Sequence, residues 1–132
     1  KTEKFISAFI NGFREFTVHE KNAIKLYFKK FKDQIESGQV FKGTIKDYNI
    51  VATFANYAVN ELAHFLIKKY NADIGIVVNT QAKTVSFRRS KQSDVDLSIL
   101  ATKLCQGGGH SASAGGRLTE KFANLTKTFT PC

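Results

Sequence analysis

Residues 73–80, DIGIVVNT, form a nearly all-apolar run of strand length. A strand that is apolar on both sides belongs inside a sheet whose two faces are covered. The neighbouring segments supply that sheet and its cover. YNIVATFA, residues 48–55, reads as a second buried strand. In NYAVNELAHFLIKKYN, Val59, Leu62, Ala63, Leu66 and Ile67 share one helical face, and Asn71 stops the helix. A turn at Asn79 to Lys83 leads into TVSFRRS, which alternates and reads as the returning strand of a hairpin. Ser93-Asp94 or Asp96 can cap a third helix over roughly 95–104, with Leu97, Leu100, Ala101 and Leu104 inward. A glycine-rich segment follows as a loop, and the tail from Arg117 has room for one more strand.

The front of the chain has a different character. Thr17-Val18-His19-Glu20 has the form of a capping box. Ile24, Phe28, Phe31 and Ile35 then recur at helical spacing, up to a stop at Ser37-Gly38. Lys21, Lys25, Lys29 and Lys32 run beside that stripe and read as a solvated face. The expectation is an α/β fold with a single central β-sheet flanked by helices. Residues 1–39 form a helical arm before a domain over 40–132. That domain is expected to fold without the arm.

The chain of 132 residues is 42% hydrophobic, which suffices for a core. Lysine and arginine outnumber aspartate and glutamate 20 to 11, for a net charge of +9. Such a balance favours polyanionic partners, although a lysine-rich solvated surface produces the same count. No run of eighteen apolar residues occurs, so no membrane span is expected. The start lacks signal-peptide architecture, and two cysteines, Cys105 and Cys132, suit a reducing compartment. The expected location is the cytoplasm. No methionine occurs, even at position 1, as in a piece of a longer chain.

Five of the nine glycines fall within residues 105–116, CQGGGHSASAGG. If Gly107, Gly108 and Gly109 adopt positive φ, their successive N–H groups form a concavity for anionic oxygens. His110 can then donate to a phosphate or stack on a base. Ala112, Ala114, Gly115 and Gly116 are small enough to pack closely beneath such a loop. Arg88 and Arg89 lie on the preceding strand, where alternation sends them to opposite faces. One of them can share the loop's face and grip a phosphate through two parallel N–H groups. The same spacing also suits a tight helix-to-strand turn with an incidental histidine. Metal chemistry has little support. Cys105 and His110 are only two ligands, Asp94 and Asp96 suit helix capping, and His19 and His64 fall in helical segments. No catalytic triad and no GxxxxGK[ST] phosphate loop is present.

GGGH followed by SASAG, residues 107–115, resembles the GGGHxxAAG signature of DHHA1 domains. These are the C-terminal domains of the DHH phosphoesterase superfamily. NYAVNELAHFL resembles that family's first helix, ADIGIVVN its central strand, SFRRS its SLRS element, and DVDLSILA its vDvsklA element. The likeness spans roughly residues 48–117. It implies the substrate-binding half of a metal-dependent phosphodiesterase or phosphatase. Substrates would be single-stranded nucleic acid, a short oligonucleotide, a cyclic dinucleotide or a related phosphate ester. Manganese would sit in an N-terminal DHH domain; no Asp-His-His occurs here, so this chain would bind no metal and be inactive alone. Its partners would be that DHH domain and, in a homodimer, a second copy. By residue matching the binding loop falls on Gly107, Gly108, Gly109 and His110, and the strand arginine on Arg88. RRS is one residue longer than RS, which leaves Arg89 and Ser90 both open for the family serine's place. Ser113 stands where alanine is usual. Related domains also end alanyl-tRNA synthetases and editing proteins, as RNA-binding or dimerising modules. A third reading is an accessory domain that only mediates protein contacts.

Overall fold

The computed structural model describes residues 39–132 together with Val18, Asn22, Leu26, Lys29, Lys30, Phe31, Asp33 and Ser37. The seven strands are β1 (Val40–Ile45), β2 (Tyr48–Phe54), β3 (Ile74–Asn79), β4 (Thr84–Arg89), β5 (Gly108–Gly109), β6 (Ser113–Arg117) and β7 (Thr130–Pro131). They form one mixed sheet in the order β5-β6-β4-β3-β2-β1-β7. Beyond residue 38 the helices are α1 (Val59–Tyr70), α2 (Leu97–Cys105) and α3 (Glu120–Thr126).

The expected α/β class is what the structure has. β2 and β3 pair in parallel, and α1 is the crossover that such a pair requires. The other strand pairs are antiparallel. Alternation along the strands separates two cores. Ile50, Ala52, Ile74, Ile76, Val78, Val85 and Phe87 meet Leu97, Leu100 and Ala101 of α2 and Phe122 of α3. On the opposite face, Val51 packs with Leu62, Phe65, Leu66 and Ile67 of α1. The all-apolar run DIGIVVNT is the β3 region, buried from Ile74 through Val78, as its composition demands.

The helix ends follow local chemistry. Asn71 stops α1 in the left-handed conformation, and its N–H and that of Ala72 return to the Ile67 carbonyl. Asp96 caps α2 by accepting from the Ser98 N–H at 3.0 Å. Thr119 caps α3, accepting from the Phe122 N–H at 3.1 Å and donating to the Leu104 carbonyl.

Four elements, β1, α3, β5 and β6, were not visible as such in the sequence. β1 precedes the first expected strand, and the tail from Arg117, with room for one strand, forms the two-residue β7 after the unforeseen α3. The glycine segment is a β-hairpin, β5–β6, where a loop was expected. Glycine and serine are poor strand formers, so propensity conceals that hairpin, and pairing to β4 imposes it.

Within residues 1–38, Val18, Asn22, Leu26, Lys29, Lys30, Phe31 and Asp33 are helical. The expected cap at Thr17 and Glu20 and the stripe positions Ile24, Phe28 and Ile35 lie outside the described residues. Phe31 is fully buried, with its ring centroid 5.4 Å from Phe65 and 6.4 Å from Tyr57. Truncating it to alanine is expected to cost about 3–5 kcal/mol in a denaturant melt. A chain beginning at Val40 is expected to melt cooperatively at lower denaturant. A non-cooperative melt would place the arm inside the folding unit.

Candidate phosphate-binding face

The register of the sheet decides which arginine accompanies His110. Arg88 is paired with Ser113, and Phe87 with Ala114. Ser113 is paired in turn with His110: the His110 N–H donates to the Ser113 carbonyl at 2.9 Å, and the Ser113 N–H returns to the His110 carbonyl at 3.3 Å. Directly opposed residues point to the same face. Phe87 and Ala114 lie in the core beneath α2, so Arg88, Ser113 and His110 form a row on the other face. Arg88 and His110 are two strands apart, roughly 10 Å at the backbone. Among the described residues α1 packs over β2, β3 and β4, whereas the main helix packing on β5 and β6 is that of α2 on its own side. The His110 end of the row is therefore open, and His110 is exposed.

Arg88 is half-buried and held. Its Nε donates to Asn60 Oδ1 of α1 at 3.0 Å, and its Nη1 donates to the Phe87 carbonyl at 2.9 Å. Burial lowers its pKa from the usual arginine range, and the Glu61 carboxylate opposes that shift. A guanidinium so tied keeps the Nη2 hydrogens and one Nη1 hydrogen for a ligand. Arg89 points into the opposite side, where Nη1 donates to the Val95 carbonyl at 2.7 Å and steadies the approach to α2. Ser90 lies beyond the end of β4. Its N–H donates to the Asp73 carbonyl at 2.8 Å, and it lines a shallow cleft with Lys68, Asn71 and Gln92. The structure thus brings Arg88 and His110 onto one face and sends Arg89 elsewhere.

The glycines do not make the concavity expected of them. Only Gly109 has positive φ, 138°. The Gly107 N–H is used at the end of α2, donating to the Ala101 carbonyl at 3.0 Å, and the His110 N–H is used in the hairpin. Close approach explains most of the cluster. A Cβ on Gly107 would lie 2.0 Å from the Gly115 carbonyl oxygen, and one on Gly116 would lie 2.5 Å from that of Cys105. Gly108 is the exception. It is exposed, its φ is not positive, and a Cβ there would meet nothing within 4 Å. Folding does not require glycine at 108.

Sequence reasoning missed Asn60, Ser86 and Ser113, which share this face. The alternation of Ser113, Gly115 and Arg117 with Ala114 and Gly116 was the available signal, and it depends on reading the segment as a strand.

Other chemistry finds little footing. Among the described residues no group of three or more histidine, cysteine, aspartate or glutamate side chains could hold a metal. Cys105 is free and buried, and burial pushes its thiol up to about 11. An apolar cavity of about 280 Å³ lies on the α3 side, lined by Phe41, Phe54, Phe122 and Phe129, and holds none of the expected site residues. Among the described residues no helix is long and apolar enough to cross a membrane.

Two glycine variants separate fold from site. Gly107→Ala forces the α2 end away from β6 and is expected to cost several kcal/mol, of the order seen for overpacked cores. Gly108→Ala is expected to leave the melting curve unchanged within about 0.5 kcal/mol. Equal destabilisation by both, in paired thermal melts, would mean that the hairpin packs differently.

No protein-family model matches the chain, and no curated protein matches it in sequence. Solved structures do match. An uncharacterized protein from Helicobacter pylori aligns over 86% of this chain and 33% of its own, with TM-score 0.54 and 21% identity. An exopolyphosphatase-related protein from Bacteroides fragilis aligns over 87% of this chain and 35% of its own, with TM-score 0.54 and 11% identity. A pGpG-specific phosphodiesterase from Vibrio cholerae aligns over 81% and 39%, with TM-score 0.48 and 20% identity. The chain thus spans about a third of the length of the structures it matches, and what it shares with the first two is a fold.

Proposed function

We propose that this chain is the substrate-holding part of a DHH-type phosphoesterase, and that the open face of β4, β6 and β5 grips a phosphate of the substrate. One observation carries the reading: Arg88 and His110 stand in one cross-strand row beside Gly108, a glycine that neither packing nor φ accounts for. The likeness of GGGH and SFRRS to the DHHA1 elements supports it. So does the fold shared with the exopolyphosphatase-related protein, whose name concerns a phosphate polymer.

In this reading Arg88 supplies charge and two parallel donors to the phosphate oxygens. His110 donates from the far side of the row. Gly108 lets the ester lie against the strand where a side chain would hold it off. Asn60 orients the guanidinium, so that less side-chain freedom is lost on binding. Bond cleavage belongs to the DHH domain of the longer protein, which brings the manganese and the water. The substrate is a single-stranded or short nucleic acid, a cyclic dinucleotide or a related ester, met in the cytoplasm.

Titration of a short labelled oligonucleotide tests this. His110→Ala is expected to weaken binding roughly ten- to a hundredfold, as for loss of a hydrogen bond to a charged group, with an unchanged melt. Arg88→Ala is expected to do likewise and to flatten the salt dependence. Equal affinities for the wild type and both variants would reduce the face to an ordinary hairpin surface. Incubated with manganese and the same oligonucleotide, the chain alone is expected to show no turnover. Hydrolysis above that of the His110→Ala variant would overturn the assignment of cleavage to another domain.

A further inference from the structure

We propose that Arg117 is a second anion anchor on the same face, so that the face selects ligands carrying two phosphates over those carrying one. The proposal rests on the phosphate-holding reading of Arg88 and His110 and extends it to ligand length.

The register places the two anchors. Thr84 is paired with Arg117, Ser86 with Gly115, and Arg88 with Ser113; Gly115 is paired in turn with Gly108. Period-two alternation puts Ser113, Gly115 and Arg117 on one face of β6, the face that carries Arg88 and His110. Arg117 stands four residues along β6 from Ser113, about 13 Å at the backbone. A single phosphate cannot span that distance. A dinucleotide such as pTpT, with one phosphate at its 5′ end and a second between its nucleosides, offers a separate anion to each of the two long arginine side chains reaching in from the ends of the row.

The ground between the anchors is low. Its middle row is Ser86, Gly115 and Gly108, so no side chain larger than serine rises there, and the space over Gly108 is empty to 4 Å. The Arg117 end is cationic beyond its one arginine. The Leu118 N–H donates to the Lys83 carbonyl at 2.9 Å, which brings exposed Lys83 beside Arg117. Glu120, the nearest acid along the chain, starts α3, and α3 packs into the core on the opposite face through Phe122. Arg117 is itself exposed, and among the described residues no hydrogen bond engages its guanidinium.

The test uses two probes on the full chain, thymidine 5′-monophosphate and 5′-phosphorylated dithymidylate, pTpT. The wild type is expected to bind pTpT about tenfold tighter, the effect of one added charge-assisted contact. Arg117→Ala is expected to bring pTpT close to the monophosphate while leaving the monophosphate unchanged. Its salt slope for pTpT is expected to fall by about 0.7, the value for one phosphate contact on a single strand. Arg117→Lys is expected to keep most of the preference, and both variants should melt as the wild type does. Equal affinities for the two probes in the wild type would overturn the proposal. So would an Arg117→Ala variant that weakens both probes alike. If neither probe binds, or if His110→Ala leaves monophosphate binding untouched, the phosphate-holding reading itself falls, and the anchor with it.

Discussion

The contact on which the arrangement depends is between backbones. Where α2 ends, Gly107 runs against Gly115 and Gly116 with no side chain between them, close enough that a Cβ on either side would overlap a carbonyl oxygen. That contact fixes the hairpin to the helix. The hairpin's second strand is fixed to β4 by five residue pairs. Between these two attachments β6 has no freedom of register. Because a slip of one residue would send every side chain to the other face, the company His110 keeps is set by those glycines, although none of them need touch a ligand.

β4 divides its labour by alternation. Val85 and Phe87 fill the core under α2, and Phe87 meets Phe122 edge-on at 6.2 Å. Arg89, on the same side, ties β4 to the segment before α2 through the Val95 carbonyl. Arg88, on the other side, is braced by Asn60. Two adjacent arginines thus have opposite fates. One is consumed by the fold, and the other is held in place with donors to spare.

Much of this was legible in advance. The apolar run at 73–80 announced an interior strand, and the helical spacing of Leu62, Ala63, Leu66 and Ile67 announced the crossover helix, because burial on a face leaves a period in the sequence. Opposite directions for Arg88 and Arg89 followed from the pleat alone. The choice between them did not, since it needed the pairing of Arg88 with Ser113 and of Ser113 with His110, and register is a property of two strands. The hairpin itself was hidden because SAGGR carries too few large residues to show a period. The expectation of positive φ at three successive glycines failed at two of them for a related reason. Glycine permits a bend and also permits contact, and composition does not say which is used.

The ends of the sheet have a consequence for how such a chain can meet others. An edge strand usually invites another strand to pair with it. Here one edge is β5, two residues long, and the other is β7, also two residues long and ending in a proline that has no N–H to give. A two-residue strand is too short to template growth by itself, so among the described residues each outermost strand of the seven-stranded sheet is a poor edge for pairing. What the sheet presents beyond those edges is its faces, and on one of them Gly108 and His110 are exposed beside half-buried Arg88.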